Sequence, residues 1–500
     1  MVAYLMRRHF AVRAEPEGLM LASDVAAADT ARPASSVRAF GLASDGLAGS
    51  LFSLSARVMP FARTVDLDDD QASFDAAMAA FDELQREIKQ AEDQLPLRVL
   101  SLHAVAPGLR YASVVPPKPA SDDSYVEPLH VIVEFASSSR WPDDIAALHK
   151  IKSAFLLRLA EAYAGLHPEA RVQIVNRFHG RGAADGLVTG VAPLLLGSQE
   201  SMDYESDNCL DIWHAASGLT FRLSMLCECE GELLAKKARD LRLAPSLAAH
   251  AEAVELAHRR WVRNHVWRPK HHRQILDLCQ RHHPAASLAI RLVKRWLSRH
   301  MLLGQPAGVS EELAELLAAR VFCDVSSSAA GGLAEPAAAL SGFVRCLRLL
   351  AEWRWSEDLF AVDFAADSRL LQTSDELPAA AAGDGGVWVS SGMSAAVAET
   401  LAHAFDVPKR KDCVRVATAD DPEAVWWGTV SPVLTRRLRV LAAASLECIN
   451  GCLAAGSDAQ LPQVFTTPLT DYDFVINLCR DVVCRKYEQP PRSAFATTAK

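Results

Sequence analysis

The sequence has 500 residues, 50% of them hydrophobic, and a formal net charge of −9. This length exceeds what one hydrophobic core usually serves, so roughly three domains are expected. The acidic balance argues against nucleic-acid binding by the chain as a whole, and no run approaches the roughly 18 uncharged apolar residues of a membrane span. With no recognisable signal peptide, we expect a soluble protein that does not contact membranes.

The first half of the chain predicts alternating helices and strands. Residues 1–69 are expected to hold a partial helix and a loosely ordered connection rich in Ala, Ser and Gly. The predicted elements that follow are a helix over 71–89, strands over 97–105 and 128–135, a helix over 145–163, a strand over 171–178 and a hairpin over 209–226. Mixed order of this kind indicates an α+β domain, which we assign to residues 70–255.

Beyond about residue 230 the hydrophobic pattern becomes mainly helical. Helical periodicity covers residues 231–262, 285–303, 310–322 and 338–354. We assign residues 256–410 to a helical domain that ends in a glycine-rich linker or long loop around 363–396. Residues 411–500 begin with a strand pattern and continue with a helix over 434–453, so we assign them to the start of a final α/β module.

Positive charge is concentrated between His258 and His300. This segment holds eleven Lys or Arg against the single acid Asp277, and it includes three tryptophans. It is the strongest polyanion-binding signal in the sequence. The candidate RNA-binding residues are Arg259, Arg260, Arg263, Arg268, Lys270, Arg273, Arg291, Lys294, Arg295 and Arg299.

The C-terminal part of this segment divides on a helical wheel. Leu292 and Trp296 lie on an apolar side, whereas Arg291, Lys294, Arg295 and Arg299 share the opposite side. We expect the apolar side to pack and the basic side to face an anion or water. A basic face that is only solvated is the alternative interpretation.

Two glycine motifs suggest cofactor or hydrolase chemistry only weakly. The loop from Gly180 to Gly186 has the wrong spacing for a dinucleotide-binding loop, and no helix follows it. The sequence Gly392-Met-Ser394 lacks the second glycine of a nucleophile elbow. We expect neither a cofactor nor a catalytic serine at these places.

A third motif imitates a nucleotidyltransferase. Gly49-Ser50 precedes Asp66 and Asp68, and two acids on a strand would hold two catalytic metal ions. The long spacer argues against this interpretation, and acids at Asp68 to Asp70 suit the N-terminus of the next helix. An active template-independent nucleotidyltransferase is kept as the alternative, and it requires Asp66 and Asp68 on a central strand facing Asp211.

The eleven cysteines are odd in number and scattered. Without paired CxxC spacing, they are expected to be reduced thiols that act as small buried hydrophobic residues. A structural zinc site is the alternative, because Cys and His are plentiful. We expect no metal and no cofactor.

Several segments together resemble the Nrap family of nucleolar RNA-associated proteins. The segments are 95–97, 109–113, 133–144 and 150–155, then 273–299, 343–355 and 361–363, and finally 465–478. The first group resembles the second nucleotidyltransferase-like domain of the family, domain 4. The second group resembles its helical domain 5, similar to poly(A) polymerase and oligoadenylate synthetase, and the last group resembles part of domain 6. The chain thus resembles the C-terminal part of a longer protein.

The resemblance implies a non-catalytic scaffold in the nucleus and nucleolus. Family membership implies binding to precursor ribosomal RNA and to proteins of the small-subunit processome, with a further link to tRNA export. The residues agree: Val105-Ala106-Pro107 stands where Gly-Ser is expected, and His130 and Ile132 stand where an acidic pair is expected. Asp211 alone could supply a carboxylate, and one carboxylate cannot balance two magnesium ions. A scaffold that binds only proteins is the second alternative.

Overall fold

The first folded region is a five-stranded sheet flanked by helices. The computed structural model describes residues 19–20, 67–119, 127–138, 141–176, 208–243, 247–304, 308–323, 336–355, 360–362, 364, 414, 416–418, 421, 430–455, 460–467 and 475–476. The strands are β1 (Val99–Ala104), β2 (Leu129–Phe135), β3 (Arg171–Asn176), β4 (Asn208–His214) and β5 (Leu219–Leu226), in the spatial order β1-β2-β5-β4-β3. Within this sheet, the β2–β5 pair is parallel and the other three pairs are antiparallel.

Two helices complete this region. Helix α1 (Leu67–Gln90) begins with acidic residues, which favour the positive end of the helix dipole. Helix α2 (Ile145–Leu166) begins at Asp144, whose side chain accepts a hydrogen bond from the backbone N–H of Ala147 at 2.8 Å. Apolar residues of both helices pack against inward-facing residues of the sheet, so the predicted α+β architecture is confirmed.

A helical hairpin follows the sheet. It consists of α3 (Glu228–Arg242) and α4 (Ala248–Val262), where the sequence pattern had suggested continuous helical periodicity. Buried Glu230 anchors it to α2, accepting hydrogen bonds from Lys152 Nζ at 2.6 Å and Trp261 Nε1 at 3.1 Å. Burial disfavours its charge, but Lys152 and His149 outweigh burial and lower the pKa of Glu230 to about 2.

The remaining helices form the second large core. Two single π-helical turns, at Arg263–Trp267 and Leu278–His282, interrupt one helical path from α4 through α5 (Arg268–Asp277). The elements that follow are α6 (Pro284–Arg299), α7 (Glu311–Cys323), α8 (Ala339–Glu352), strands β6 (Phe360–Val362) and β7 (Val416–Thr418), and α9 (Pro432–Ala455). A 3-10 turn at Leu461–Phe465 packs beside them, and the pair Leu19–Met20 with Val475–Ile476 forms a separate two-residue ribbon.

Helix α9 lies in the helical core. We expected the helix over 434–453 to belong to a separate module starting at residue 411. Instead Leu438, Leu441 and Ile449 share one hydrophobic cluster with α6, α7 and α8, and Trp296 Nε1 donates a 3.0 Å hydrogen bond to Ser445 Oγ. The helix is long and apolar enough to cross a membrane by length and composition, and 33% of its apolar window is buried inside the structure. The predicted domain boundaries stay predictions.

The two large regions are joined by shared packing. Phe74, Tyr111 and Val114 of the sheet region belong to the same hydrophobic cluster as the helical core. Ser287 Oγ, at the start of α6, donates a 2.7 Å hydrogen bond to the carbonyl of Tyr111. Tyr111 has a left-handed backbone, with φ of 59°, which turns the chain after the 3-10 turn Pro107–Arg110.

Candidate active centre and nucleic-acid interface

One row of paired residues crosses the sheet at the positions where a nucleotidyltransferase would carry its catalytic carboxylates. His130 on β2 lies opposite Arg222 on β5, and Arg222 lies opposite Asp211 on β4. Gln173 on β3 continues the row beside Asp211. The structure therefore brings Asp211 together with a histidine, an arginine and a glutamine, and this row contains no second carboxylate.

Arg222 neutralises the charge of Asp211 through a bidentate ion pair. Its Nε and Nη2 atoms donate hydrogen bonds to the two carboxylate oxygens, each at 2.7 Å. Asp211 is buried and Arg222 is partly buried, so this geometry is of the stronger bidentate kind. A guanidinium thus occupies the position next to the carboxylate that a metal ion would need. Neighbouring Ile132 is fully buried and offers no ligand atom.

A Ser–His–Glu cluster lies nearby on β1 and β2. Ser101 Oγ donates to Glu134 Oε2 at 2.5 Å, and His103 Nε2 lies 3.1 Å from that oxygen and 2.8 Å from Ser101 Oγ. A nucleophile triad needs the serine and the acid on different ring nitrogens of the histidine. Here both contact Nε2, so the cluster has the geometry of a hydrogen-bond network between two strands. Its hydrogen bonds from Ser101 and His103 outweigh partial burial and lower the pKa of Glu134.

The alternative pair of acids does not lie on a strand. Asp68 is in the first turn of α1, as the helix-start interpretation predicted. Gly49, Ser50 and Asp66 lie outside the described residues, as do the motifs at 180–186 and 392–394 and most of the predicted linker at 363–396. A metal site that needs Asp68 on a central strand is therefore incompatible with the structure.

The basic side of α6 is buried, which corrects our expectation that it faces an anion or water. Lys294 is 0% exposed, and Arg291, Arg295 and Arg299 are also buried. Arg291 Nη2 donates to Asp70 Oδ2 at 2.6 Å, and its Nε donates to the carbonyl of Ser113. The helix therefore packs on both sides, because acidic and carbonyl groups of other elements cover its cations.

Lys294 belongs to a charge cluster at the boundary between the sheet and the helical core. Glu315 of α7, itself 0% exposed, accepts hydrogen bonds from Arg110 Nε and Nη2 at 2.9 Å each and from Lys294 Nζ at 2.5 Å. His271 Nε2 lies 2.6 Å from the same carboxylate. Burial lowers the pKa of His271 and outweighs the opposing effect of Glu315.

The cations of this cluster hold its carboxylates ionised. Burial alone would raise the pKa of Glu315, but Arg110 and Lys294 outweigh it and lower that pKa well below its usual range. Arg268 Nε donates to Glu312 Oε1 at 2.9 Å, and the pKa of Glu312 is lowered to about 2 by Arg268 and Arg110 despite burial. Arg268 is thus engaged inside the protein as well.

The other candidate cations of the basic segment remain accessible to different degrees. Arg259, Lys270 and Arg273 are exposed, and Arg260 and Arg263 are half-buried. Lys270 Nζ lies 4.8 Å from the centre of the Trp267 ring, a cation–π contact. Of the ten candidates, the three exposed ones offer their charges to a ligand without rearrangement.

The structure places two further basic residues beside Arg259, both of them outside the basic segment from His258 to His300. Arg239 and Arg242 are exposed on α3 and line a shallow groove with His258 and Arg259 of α4, where Glu255 pairs with Arg242. The run Lys236-Lys237-Ala-Arg239 is a visible basic signal, but the nearby acids Glu228, Glu230, Glu232 and Asp240 dilute it in a linear count. Of these acids, Glu230 is buried and bonded to Lys152, so it does not face the groove.

A five-stranded sheet flanked by helices and followed by a helical bundle is the architecture of a nucleotidyltransferase-like domain joined to a poly(A)-polymerase-like helical domain. Two family models agree. The "Nrap protein nucleotidyltransferase domain 4" matches residues 54–280, and the "Nrap protein PAP/OAS1-like domain 5" matches residues 283–467. The chain belongs to the Nrap family, which confirms the resemblance to domains 4 and 5; the resemblance of 465–478 to domain 6 stays a prediction.

Two curated relatives each match most of this chain and about a third of their own length. The chain is 27% identical over 426 residues to U3 small nucleolar RNA-associated protein 22 of Saccharomyces cerevisiae, covering 81% of this chain and 31% of the relative. It is 26% identical over 434 residues to Nucleolar protein 6 of Homo sapiens, covering 81% of this chain and 31% of the relative. The chain thus spans about a third of the length of these relatives.

Among solved structures, the polymerase core of TRAMP aligns with 86% of this chain and 94% of its own at 10% identity and a TM-score of 0.36. The apo form of mtPAP aligns with 87% of this chain and 78% of its own at 8% identity and a TM-score of 0.34. The assignment to a nucleotidyltransferase-like and a poly(A)-polymerase-like domain rests on the two family models.

Proposed function

We propose that this protein is a non-catalytic RNA-binding scaffold that acts in the nucleolus, in precursor ribosomal RNA processing and assembly of the small ribosomal subunit. The observation that carries the proposal is the Arg222–Asp211 contact at the centre of the sheet. The relatives' names, which place them with U3 small nucleolar RNA and in the nucleolus, support the setting. Precursor ribosomal RNA and processome proteins are the proposed partners.

The absence of turnover follows from charge. Two-metal catalysis needs several carboxylates that together balance two divalent ions. In the row His130, Arg222 and Asp211, the single carboxylate already has a full positive charge bonded to both oxygens. A divalent ion at this place would have to displace the guanidinium and would meet its repulsion.

RNA binding is supported by the exposed cations of the helical path. Lys270 and Arg273 are three residues apart on α5 and therefore project from one side of it. Arg239 and Arg259 line the groove of the α3–α4 hairpin. These side chains are long, exposed and basic, as phosphate contacts require.

Primer extension tests the lack of catalysis. The full chain is incubated with an RNA primer, each nucleoside triphosphate, and Mg²⁺ or Mn²⁺, and we expect no extension. The matched variants are Asp211→Ala, which removes the central carboxylate, and Glu134→Ala, which removes a carboxylate two strands away. Extension by the wild-type chain that is lost in Asp211→Ala and kept in Glu134→Ala would refute the proposal.

A salt series tests the RNA interface. Log affinity for structured RNA should fall linearly with log salt, by about 0.7 to 0.9 per phosphate contact. Lys270→Glu with Arg273→Glu should weaken binding and flatten this slope without changing stability, because exposed charges contribute little to folding. Lys150→Glu with Arg158→Glu is the control, since both residues are exposed on α2 and the change in net charge is the same. An equal loss of RNA affinity in the variant and the control would show that binding depends only on the net charge of the chain, which would contradict the proposed interface.

The rival scaffold that binds only proteins makes a different prediction. If the basic surface meets acidic proteins, co-sedimentation with pre-ribosomes should survive nuclease treatment and the isolated chain should not bind RNA. If our proposal is correct, nuclease releases the chain, and Lys270→Glu with Arg273→Glu reduces co-sedimentation before nuclease is added.

A further inference from the structure

A cluster of possible metal ligands lies at the edge of the sheet, outside the row of Asp211. Glu83 and Glu87 are four residues apart on α1, so their side chains project from the same side of that helix. His214 is the last residue of β4. One ligand atom from each of the three residues lies within 4.8 Å of the other two.

His214 faces the two carboxylates with an unpartnered ring nitrogen. The residue is only 2% exposed, and its Nε2 atom is buried and has no hydrogen-bond partner. Nε2 lies 3.5 Å from Glu87 Oε2 and 3.7 Å from Glu83 Oε2. These separations are too long for hydrogen bonds, which a buried ring nitrogen normally forms.

The separation of Nε2 from Glu87 fits a tetrahedral metal ion, and its separation from Glu83 is slightly longer than such an ion needs. Zinc binds imidazole nitrogen and carboxylate oxygen at about 2.0–2.2 Å, so adjacent ligand atoms of a tetrahedron are about 3.3–3.6 Å apart. A small closure of Glu83, whose side chain is 44% exposed, would bring all three atoms into range. Two carboxylates and one neutral imidazole would also balance the charge of a divalent ion.

Neighbouring groups hold two of these ligands in place. His214 Nδ1 lies 2.8 Å from Ser217 Oγ in the turn between β4 and β5, a contact that fixes the ring with Nε2 directed at α1. Tyr163 donates a 2.6 Å hydrogen bond from its hydroxyl to Glu87 Oε2. Metal sites typically have such outer hydrogen bonds to the histidine and the carboxylate.

We propose that Glu83, Glu87 and His214 form a zinc site that ties α1 to the β4–β5 turn, with water as the fourth ligand. Imidazole and carboxylate ligands together suit zinc better than magnesium or calcium, which prefer oxygen ligands alone. The proposal departs from our sequence-based expectation of no metal, because none of its ligands is a cysteine and no linear motif marks them. It is independent of RNA binding.

Metal titration of the full chain tests the site. After chelator treatment and removal of the chelator, Zn²⁺ should bind and raise the melting temperature, and Co²⁺ should give visible bands of tetrahedral intensity without sulfur-to-cobalt charge transfer. The latter distinguishes the site from binding by the chain's thiols. Glu83→Gln should lower the zinc affinity at least tenfold, and Ser217→Ala should lower it about tenfold through His214.

The variants show whether Glu83 binds the metal or only stabilises the fold. Glu83 is partly exposed, so Glu83→Gln should keep the melting temperature of the metal-free protein, even if His214→Gln does not fold. Glu134→Gln is the matched control, because it removes a carboxylate that faces another histidine, His103, and zinc affinity should not change. Unchanged zinc affinity in Glu83→Gln, or no zinc binding by the wild-type chain, would overturn the proposal and leave His214 as a buried ring beside two acids.

Discussion

Replacing Glu315 by Gln should destabilise the protein more than any exposed charge change. Gln keeps the shape of the side chain, so no cavity forms and the effect reports charge and hydrogen bonding. The substitution leaves Arg110 and Lys294 buried without the carboxylate that accepts their hydrogen bonds. Removing one partner of a buried ion pair typically costs about 3–5 kcal/mol.

The remaining partners of Lys294 and Arg110 determine how much unfolding free energy is lost within this range. Glu311 Oε2 lies 3.2 Å from Lys294 Nζ and can retain part of that cation's stabilisation. Arg110 keeps only a 2.7 Å hydrogen bond from Nη1 to the carbonyl of Val105. We therefore expect at least about 3 kcal/mol, most of it from Arg110.

Urea unfolding followed by circular dichroism measures this loss as a lower midpoint. The control is Glu161→Gln, whose partner Arg158 is 61% exposed, so its loss should stay below about 1 kcal/mol. A second test replaces Arg110, Lys294 and Glu315 together by Met, which should recover part of the stability because no buried charge is left unpaired. A Glu315→Gln midpoint as close to wild type as that of Glu161→Gln would refute the reasoning.

Three further predictions concern packing, charge and pH. Trp296→Ala should cost about 3–5 kcal/mol of unfolding free energy in the same assay, because the ring is 0% exposed; an unchanged midpoint would contradict its burial. Arg291→Glu should prevent stable folding, measured by thermal melting, since it places a carboxylate beside Asp70, and a normal melt would contradict the contact. Acid should lower the free energy of unfolding in two steps. The first lies between pH 6.5 and about 4, because burial lowers the pKa of His300 to about 4 while the ring of the unfolded chain already binds a proton. The second lies between about pH 4.5 and 2, where protonation removes the stability that Glu230 and Glu312 contribute through their lowered pKa values. Stability that is flat between pH 7 and 3 would contradict both steps.

The sequence predicts the elements of this fold well because local patterns determine them. The strands at 97–105 and 128–135 and the helix at 145–163 appear at β1, β2 and α2 with shifts of a few residues. Helix α1 also begins among the acids that mark its start. Periodicity and helix-start residues are properties of neighbours in the chain, so they are visible in one sequence.

The environment of the basic helix α6 could not be predicted in the same way. A helical wheel separates apolar from charged positions, but it does not say whether a charged side meets water or a buried acid. Arg110 and Glu315 are 205 residues apart, and Arg291 and Asp70 are 221 apart. The one local signal was that Glu311 and Glu315 project from one side of α7, a spacing that water alone could also satisfy.

The candidate centre was partly predictable for the same reason. His130, Ile132 and Asp211 were identified as strand positions, and the structure places His130 and Asp211 in one row. Arg222 was missed, because only the register of the parallel β2–β5 pair puts it between them. The zinc ligands were also missed, since their approach depends on how α1 lies against the end of β4.

The packing between the two family segments affects how this protein can be divided into fragments. Phe74 and Tyr111 share a hydrophobic cluster with α6, and Glu315 accepts hydrogen bonds from both Arg110 and Lys294. The two family segments meet at residues 280–283, within the helical path, whereas cooperative unfolding should involve both sides of that boundary. A fragment ending there would expose apolar side chains and leave Arg110 without its acid, and the complementary fragment would leave Glu315 with one cation fewer. Laboratories that express either half alone should expect aggregation, whereas one polypeptide carrying both should be cleaved by protease in its loops before it is cleaved at this junction.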